Sequence, residues 1–587
     1  MNRPRILLAA ILLLYAVMAM VAIDWGLPSR AADPYLFGGG PVWSGETIHR
    51  LAGGDAWGSP ERGADVDANP LDKTSGPVNL TASESDVAAI YLRYRLYTHQ
   101  PDEMITLRAL AGMRPSQLQL DPRLYQYGGL FIYPVGALLR VAGAVGMIDV
   151  RSDVPYYLDH PDEFAKFYIV ARVYVAAWGA VGLFVISAIA TRLQNAWAGV
   201  LAALLYAILP VVVCMAHEGK PHLPAAVLML LAVLLALGYV DTGRRRDWIG
   251  MCAACGAAFG TVLSAFPIFI LIPVAEFLRL HREVRTGAAG RGGLGPAMMR
   301  IVLGGLIGIG VYLVANPYVF INLFVNRAVL KSNFGNSLAM YEISRIAEGV
   351  LRVVELTGEG ASAPVMIFGV IVLAVAIRRK QKNILPLAAP AALVLVQFAL
   401  LGAGKPAEYG RFGVFPSIAL AVATACGLTS LAGTKRRVGR WIAAALVVAW
   451  TGISGAAYLV NLHADNTPDN TRTAAAAFLA PRIVDGRVPQ LWLQAEPAPY
   501  SCPPINFAAI PVWLCPDADN NRLCPGRPLL AAYDGNSLLT RDRSGPLDDG
   551  AVTFEPWFCS PISWANKPIR IYPAPNGDHG QPPEALE

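Results

Sequence analysis

Long apolar runs recur along this chain from Ile6–Ile23 to Trp441–Val460, and they are apolar all round rather than striped. A helix with no polar face has to be surrounded by lipid or by other apolar helices, and a run of roughly 20 residues matches a bilayer core. Of 587 residues, 55% are apolar and 15% charged, with a mean hydropathy of +0.43. That excludes an ordinary soluble domain, and the expected class is an α-helical polytopic membrane protein. The net charge of +6 is modest and the basic residues fall in short clusters between apolar runs. Such clusters read as topology signals rather than a nucleic-acid surface, so no nucleic-acid partner is expected.

Asn2-Arg3-Pro4-Arg5 precedes Ile6–Ile23, which lacks a clear small-x-small cleavage site and reads as a retained first span. Further candidate crossings are Phe167–Ala190, Ala196–Cys214, Leu223–Val240, Trp248–Ala265, Ile268–Leu280, Ile301–Ala315, Ala363–Ala376, Ile384–Leu401, Phe412–Leu431 and Trp441–Val460, about eleven in all. Under this count the basic clusters at Arg192, Arg244–Arg246, Arg279–Arg300, Arg378–Lys380 and Lys435–Arg437 share one side. The positive-inside rule then puts the N-terminus in the cytoplasm and the C-terminus outside it. Leu130–Met147 is long enough to cross, but Pro134, Arg140 and its glycines suit an interfacial element, and counting it would place every later basic cluster outside. The division that follows is a first transmembrane helix over 1–24, an extracytoplasmic loop over 25–166, a bundle over 167–460 and an extracytoplasmic domain over 461–587.

Cys502, Cys515, Cys524 and Cys559 all lie in the hydrophilic tail. Four cysteines in one small, loop-rich segment point to two disulfides in an oxidising compartment, and the absence of Cys-x-x-Cys there argues against zinc. Cys252 and Cys255 have redox spacing but sit in an apolar run, where small-residue helix packing is the simpler reading. The tail also carries Leu491-Trp492-Leu493, Ile569-Arg570-Ile571 and the aromatics Trp513, Trp557 and Trp564, the pattern of a small α/β or β-rich domain. An extracytoplasmic, disulfide-ready tail suits a bacterial inner membrane.

Charge is costly at a membrane boundary, so acids, bases and histidines gathered at one face make a functional cavity the default hypothesis. Asp102 and Glu103 follow Pro101 at the start of a predicted helix; capping is the bland reading and acid–base chemistry the sharper one. His160-Pro161-Asp162-Glu163 repeats the pattern before a span and reads as a helix start. His217, Glu218, Lys220 and His222 crowd a turn between two runs. They could ligate a divalent metal through His217, Glu218 and His222, bind phosphate through Lys220, or solvate a loop. Lys405, Glu408, Tyr409 and Arg411 precede another run, where the cations could hold a lipid phosphate. No cofactor is required beyond that possible metal.

The order of these parts resembles the GT-C superfamily of glycosyltransferases that use polyprenyl-phosphate sugars, in particular its protein-mannosyltransferase and aminoarabinose-transferase-like group. The resemblance rests on Trp25-Gly26-Leu27-Pro28, Pro101-Asp102-Glu103, Tyr133-Pro134, Ala171-Arg172, His217–Pro224, Asn316-Pro317-Tyr318, and Arg411-Phe412 with Pro416, and covers roughly residues 20–460. It implies that Asp102 is the general base, with Glu103 supporting it, and that the sugar moves with inversion from a polyprenyl-phosphate donor to a lipid, glycan or protein acceptor. Arg411, Lys405 and Lys220 become the candidates for the donor phosphate, and His217, Glu218, His222, Asn316, Tyr318, Glu408 and Tyr409 for substrate contact. Arg172 is assigned to helix-end carbonyls rather than to the site. Two features depart from the group's pattern: an insertion over about 31–98, and His222 where a carboxylate is common. A transporter or flippase of a lipid or anionic solute is the alternative, but no internal repeat is found and the polar residues gather at one face.

Overall fold

The computed structural model describes residues 3–54, 78–285, 293–341, 343–404, 409–430, 437–468, 470–495, 502–514, 531–533, 565 and 569–572. Among the described residues, eight helices are long and apolar enough to cross a membrane: Arg3–Met20, Pro161–Leu193, His222–Thr242, Leu263–Arg285, Leu294–Ala315, Lys382–Leu401, Gly410–Ser430 and Trp441–Ala464. Two bent pairs, Ala196–Ile208 with Pro210–Ala216 and Ile346–Gly360 with Ala363–Arg378, raise the number to ten if each is one span. The chain is an integral membrane protein.

The expected crossing at Trp248–Ala265 takes a different form. Its helix is Arg245–Phe259, roughly 22 Å long at 1.5 Å per residue and so short of a bilayer core on its own. Two arginines and an aspartate occupy its first turn. The chain breaks at Gly260–Val262, ahead of Pro267, because this segment pairs with the start of another helix: Gly128 N donates to Thr261 O at 2.9 Å and Leu130 N to Gly260 O at 3.2 Å. The helix Gly129–Ala144, with Pro134 inside it, also falls short of a crossing at roughly 24 Å.

Small residues set the closest helix contacts. A Cβ on Gly256 would come within 2.1 Å of the Gly308 carbonyl, and one on Gly304 within 2.9 Å of Cys252 Sγ. Cys252 therefore lies on a packed seam between Arg245–Phe259 and Leu294–Ala315, while Cys255 Sγ is turned to Ile268 O at 3.8 Å.

Beyond the bundle stands a five-stranded sheet built from β1 (Val78–Asn79), β2 (Leu491–Ala495), β3 (Val512–Leu514), β4 (Ala531–Tyr533) and β5 (Ile569–Tyr572), in the order β1-β3-β2-β5-β4. β2 runs parallel to β3 and the other pairs are antiparallel. Leu491, Leu493, Val512, Ile569 and Ile571 are buried, and Trp492 stacks on Trp513 with centroids 5.6 Å apart. β1 comes from the long loop after the first span, with Val78 opposite Leu514 and Asn79 opposite Trp513. The same loop continues into helix Glu84–Leu96, where Tyr94 donates its hydroxyl to Cys502 O at 2.6 Å. Part of the insertion thus shares one sheet with the tail. Cys502 is buried and forms no disulfide among the described residues; its candidate partners Cys515, Cys524 and Cys559 lie outside them.

Candidate active site

Helix Asp102–Ala111 opens at Pro101, and two consecutive residues at a helix start project about 100° apart. The adjacent acids therefore part company. Glu103 turns inward and is saturated: Arg172 Nε and Nη2 donate to its two oxygens at 2.9 and 2.7 Å, Gly219 N donates at 2.6 Å and Thr98 Oγ1 at 2.7 Å. The remaining Arg172 nitrogen, Nη1, caps the Ile23 and Trp25 carbonyls at 2.7 and 2.8 Å. Trp25 Nε1 in turn donates to His217 O at 2.9 Å. One buried ion pair thus ties together the exit of the first span, the acid loop, helix Pro161–Leu193 and the turn at Gly219.

Asp102 faces two cations. Arg411 Nη1, from the 3-10 turn Tyr409–Gly413, donates to Asp102 Oδ2, and Lys220 Nζ lies 3.2 Å from the same oxygen. Lys220 Nζ is also 3.4 Å from Glu218 Oε2, an ion-pair distance without hydrogen-bond geometry. Burial alone would raise the Asp102 carboxyl, but Lys220 and Arg411 outweigh it and hold the group well below the usual carboxylate range. Burial also dominates at Glu218, and there it prevails over Lys220, so that carboxyl is raised. Accessibility separates the roles. The Asp102 and Arg411 side chains are 19% and 12% exposed, whereas those of Lys220 and Glu218 are 3% and 2% exposed. A substrate can reach the first two, and the second two stand behind them.

Beside Arg411 lies a small, half-open cleft whose walls include Arg411, His222, Gln397, Phe412, Val394 and Met229. Its lining is apolar apart from a few polar groups, among them the Arg411 guanidinium that also reaches Asp102. His222 stands edge-on to Tyr127 and Phe412, with ring centroids 6.0 and 5.6 Å away, and its buried Nδ1 has no hydrogen-bond partner.

The other expected site residues are placed differently. His217 is spent on packing: Nδ1 and Nε2 lie 2.7 and 2.8 Å from the Val213 and Val21 carbonyls. Both nitrogens face backbone carbonyls inside the packed turn, which leaves neither an open side toward a metal or a substrate, and no group of three possible metal ligands forms among the described residues. Asn316 is likewise occupied, accepting from Gly129 N at 2.7 Å and donating to Tyr312 O at 3.0 Å. The Tyr318 hydroxyl accepts from Leu120 N at 3.2 Å and donates to Leu118 O at 3.4 Å, fastening a neighbouring loop. Lys405 and Glu408 lie outside the described residues, and Tyr409 opens the 3-10 turn that carries Arg411. Asp162 is exposed in the first turn of Pro161–Leu193, as a helix start. Arg172 does cap carbonyls as expected, but its salt bridge to Glu103 makes it part of the site's frame; an arginine set inside the apolar run Phe167–Ala190 was the available signal.

Fold and site together define a polytopic helical membrane protein with a carboxylate–cation centre at the ends of its helices. Residues 165–286, which contain Arg172, Glu218, Lys220 and His222, match the model of the dolichyl-phosphate-mannose-protein mannosyltransferase family. The chain is similar to the crystal structure of ArnT from Cupriavidus metallidurans bound to undecaprenyl phosphate, with 17% identity, coverage of 74% of this chain and 85% of that one, and a TM-score of 0.45. It is also similar to the archaeal oligosaccharyltransferase AglB from Archaeoglobus fulgidus in complex with an inhibitory peptide and a dolichol-phosphate, with 14% identity, coverage of 75% and 59%, and a TM-score of 0.33. No curated protein matches the sequence significantly.

Proposed function

We propose that the protein is a membrane glycosyltransferase that moves a sugar from a polyprenyl-phosphate donor to an acceptor with inversion at the anomeric carbon. The observation that carries this reading is Asp102, partly exposed and held between Lys220 and Arg411 at the edge of an apolar cleft. The family match over residues 165–286 supports it. Asp102 takes the proton of the acceptor hydroxyl or amine, the acceptor atom attacks the anomeric carbon, and the bond from that carbon to the phosphate oxygen breaks. Polyprenyl phosphate leaves with the bonding electrons, and Arg411 and Lys220 stabilise its charge. The same two cations that depress Asp102 are drawn toward the donor phosphate, which restores basicity to the carboxylate when donor is bound. Glu103 acts through Arg172 as part of the frame. A transporter would place its polar groups at the bilayer midplane, whereas this centre sits where helices begin and end. We further propose that the protein lies in a bacterial inner membrane with the sheet on the non-cytoplasmic side, and that disulfides form among Cys502, Cys515, Cys524 and Cys559.

The test uses purified protein with dolichyl phosphate mannose as probe donor, following release of dolichyl phosphate. Asp102→Asn is expected to lower turnover about 10²–10⁴-fold with unchanged melting, while Asp162→Asn retains most of it. Full activity in Asp102→Asn, or equal loss in both variants, would remove Asp102 from the role of base.

A further inference from the structure

The link carrying the acid pair is gripped from a direction that sugar transfer does not itself require. Residues 97–101 join helix Glu84–Leu96 to helix Asp102–Ala111, and His99 Nδ1 lies 2.6 Å from Asp465 Oδ2. A carboxylate oxygen can only accept, so Nδ1 carries the proton. Arg472 Nη1 donates to the other Asp465 oxygen at 3.0 Å and sits 3.1 Å from the His99 ring nitrogen. Asp465 and Arg472 are both 2% exposed. They belong to the start of the tail, Asp465 directly after helix Arg437–Ala464 and Arg472 in the first turn of Thr471–Val484.

The neighbouring residue extends the grip to the exit of the first span. Asn466 Oδ1 accepts from Gly26 N at 2.9 Å and Asn466 Nδ2 donates to Asp24 Oδ1 at 3.2 Å, while His99 N donates to Gly26 O at 2.8 Å. Gly26 has φ +58, and a Cβ there would meet His99 Cβ at 2.7 Å. Upstream, helix Glu84–Leu96 is tied to the tail by Tyr94 and by the β1–β3 pairing. The segment leading into Asp102 is therefore held by the tail both before and at the link.

We propose that His99, Asp465 and Arg472 are positioning residues, a clasp through which the C-terminal segment sets Asp102 against Lys220 and Arg411. The proposal rests on the reading of Asp102 as the base. Burying an acid and a cation against a half-buried imidazole is an expensive way to gain stability, and a charged network fixes one register where apolar packing would tolerate several. Register matters here because a misplacement of about 1 Å in a reacting group can cost on the order of a hundredfold in rate.

Two readouts test this on the full-length protein in detergent. In hydrogen–deuterium exchange, His99→Leu is expected to speed exchange over residues 97–104 about tenfold with the spans and the melting temperature unchanged, and Asp465→Asn to speed the same residues with the spans unchanged and a modestly lower melting temperature, since it leaves buried Arg472 without its carboxylate. His99→Asn, whose amide nitrogen can stand in for Nδ1, stays like the parent. With dolichyl phosphate mannose, Asp465→Asn lowers kcat about 10–100-fold while KM stays within twofold. Unchanged exchange over 97–104, acceleration spread over the whole chain, or His99→Asn behaving as His99→Leu would each overturn the clasp. A different result, undiminished turnover in Asp102→Asn together with the expected exchange pattern, would instead remove the reading of the base and leave the clasp as a fastening of the loop.

Discussion

Arg172 meets Glu103 through two parallel hydrogen bonds at 2.9 and 2.7 Å, with the two side chains only 0% and 1% exposed. Breaking a pair of this kind by removing one partner strands a buried charge, which costs about 3–5 kcal/mol. Arg172→Met is accordingly expected to lower stability by that order, and Glu103→Gln to lower it less because the amide keeps part of the network. The double variant should be less damaged than the sum of the two, as read by thermal unfolding in detergent. Strict additivity would mean that the pair is not a coupled unit.

Donor binding should follow the two cations rather than the acids. Arg411→Ala is expected to weaken retention of added undecaprenyl phosphate in native mass spectrometry by tenfold or more, the scale of about 1.5–3 kcal/mol for a hydrogen bond to a charged group. Asp102→Asn removes the carboxylate that competes for Arg411 and Lys220, so it should retain the lipid at least as well as the parent. Equal retention by the parent and Arg411→Ala would take the phosphate away from this arginine.

Glu218 makes the pH dependence testable. Its carboxyl is raised above the ordinary 4.5 by burial, with Lys220 opposing and Glu103 reinforcing the shift. A group raised in the folded state favours folding while protonated, and that contribution is lost as pH climbs from the unfolded value through the folded one. Glu218→Gln should therefore match the parent in melting at pH 4 and exceed it at pH 8. A gain confined to pH 4, or a loss at pH 8, would show that the ionised carboxylate is needed by Lys220.

Several parts of this arrangement were legible from residue types alone. Asp102, Lys220 and Arg411 were recognisable because charge beside long apolar runs is costly and needs a partner or a task, and the structure does bring the three together. His217 and Asn316 carried the same signal and turned out to be fastenings. Residue type cannot tell a polar group that faces a cleft from one whose donors and acceptors are spent on nearby carbonyls. The insertion was opaque for a related reason: a strand as short as Val78–Asn79 is defined by its partner, Trp513–Leu514, and not by its own two side chains.

By itself the sequence determined the membrane class and the positions of most spans, because hydrocarbon admits only backbone that is hydrogen-bonded within its own segment, and the runs that meet that condition can be read locally. It also located the acid pair. Only the tertiary structure decided which acid of the pair is available. Glu103 met Arg172 across 69 residues and was buried, while Asp102 met Arg411 across 309 and kept an open side. No local pattern encodes which of two neighbouring carboxylates a distant arginine will claim, since that depends on how helices separated by hundreds of residues pack against one another.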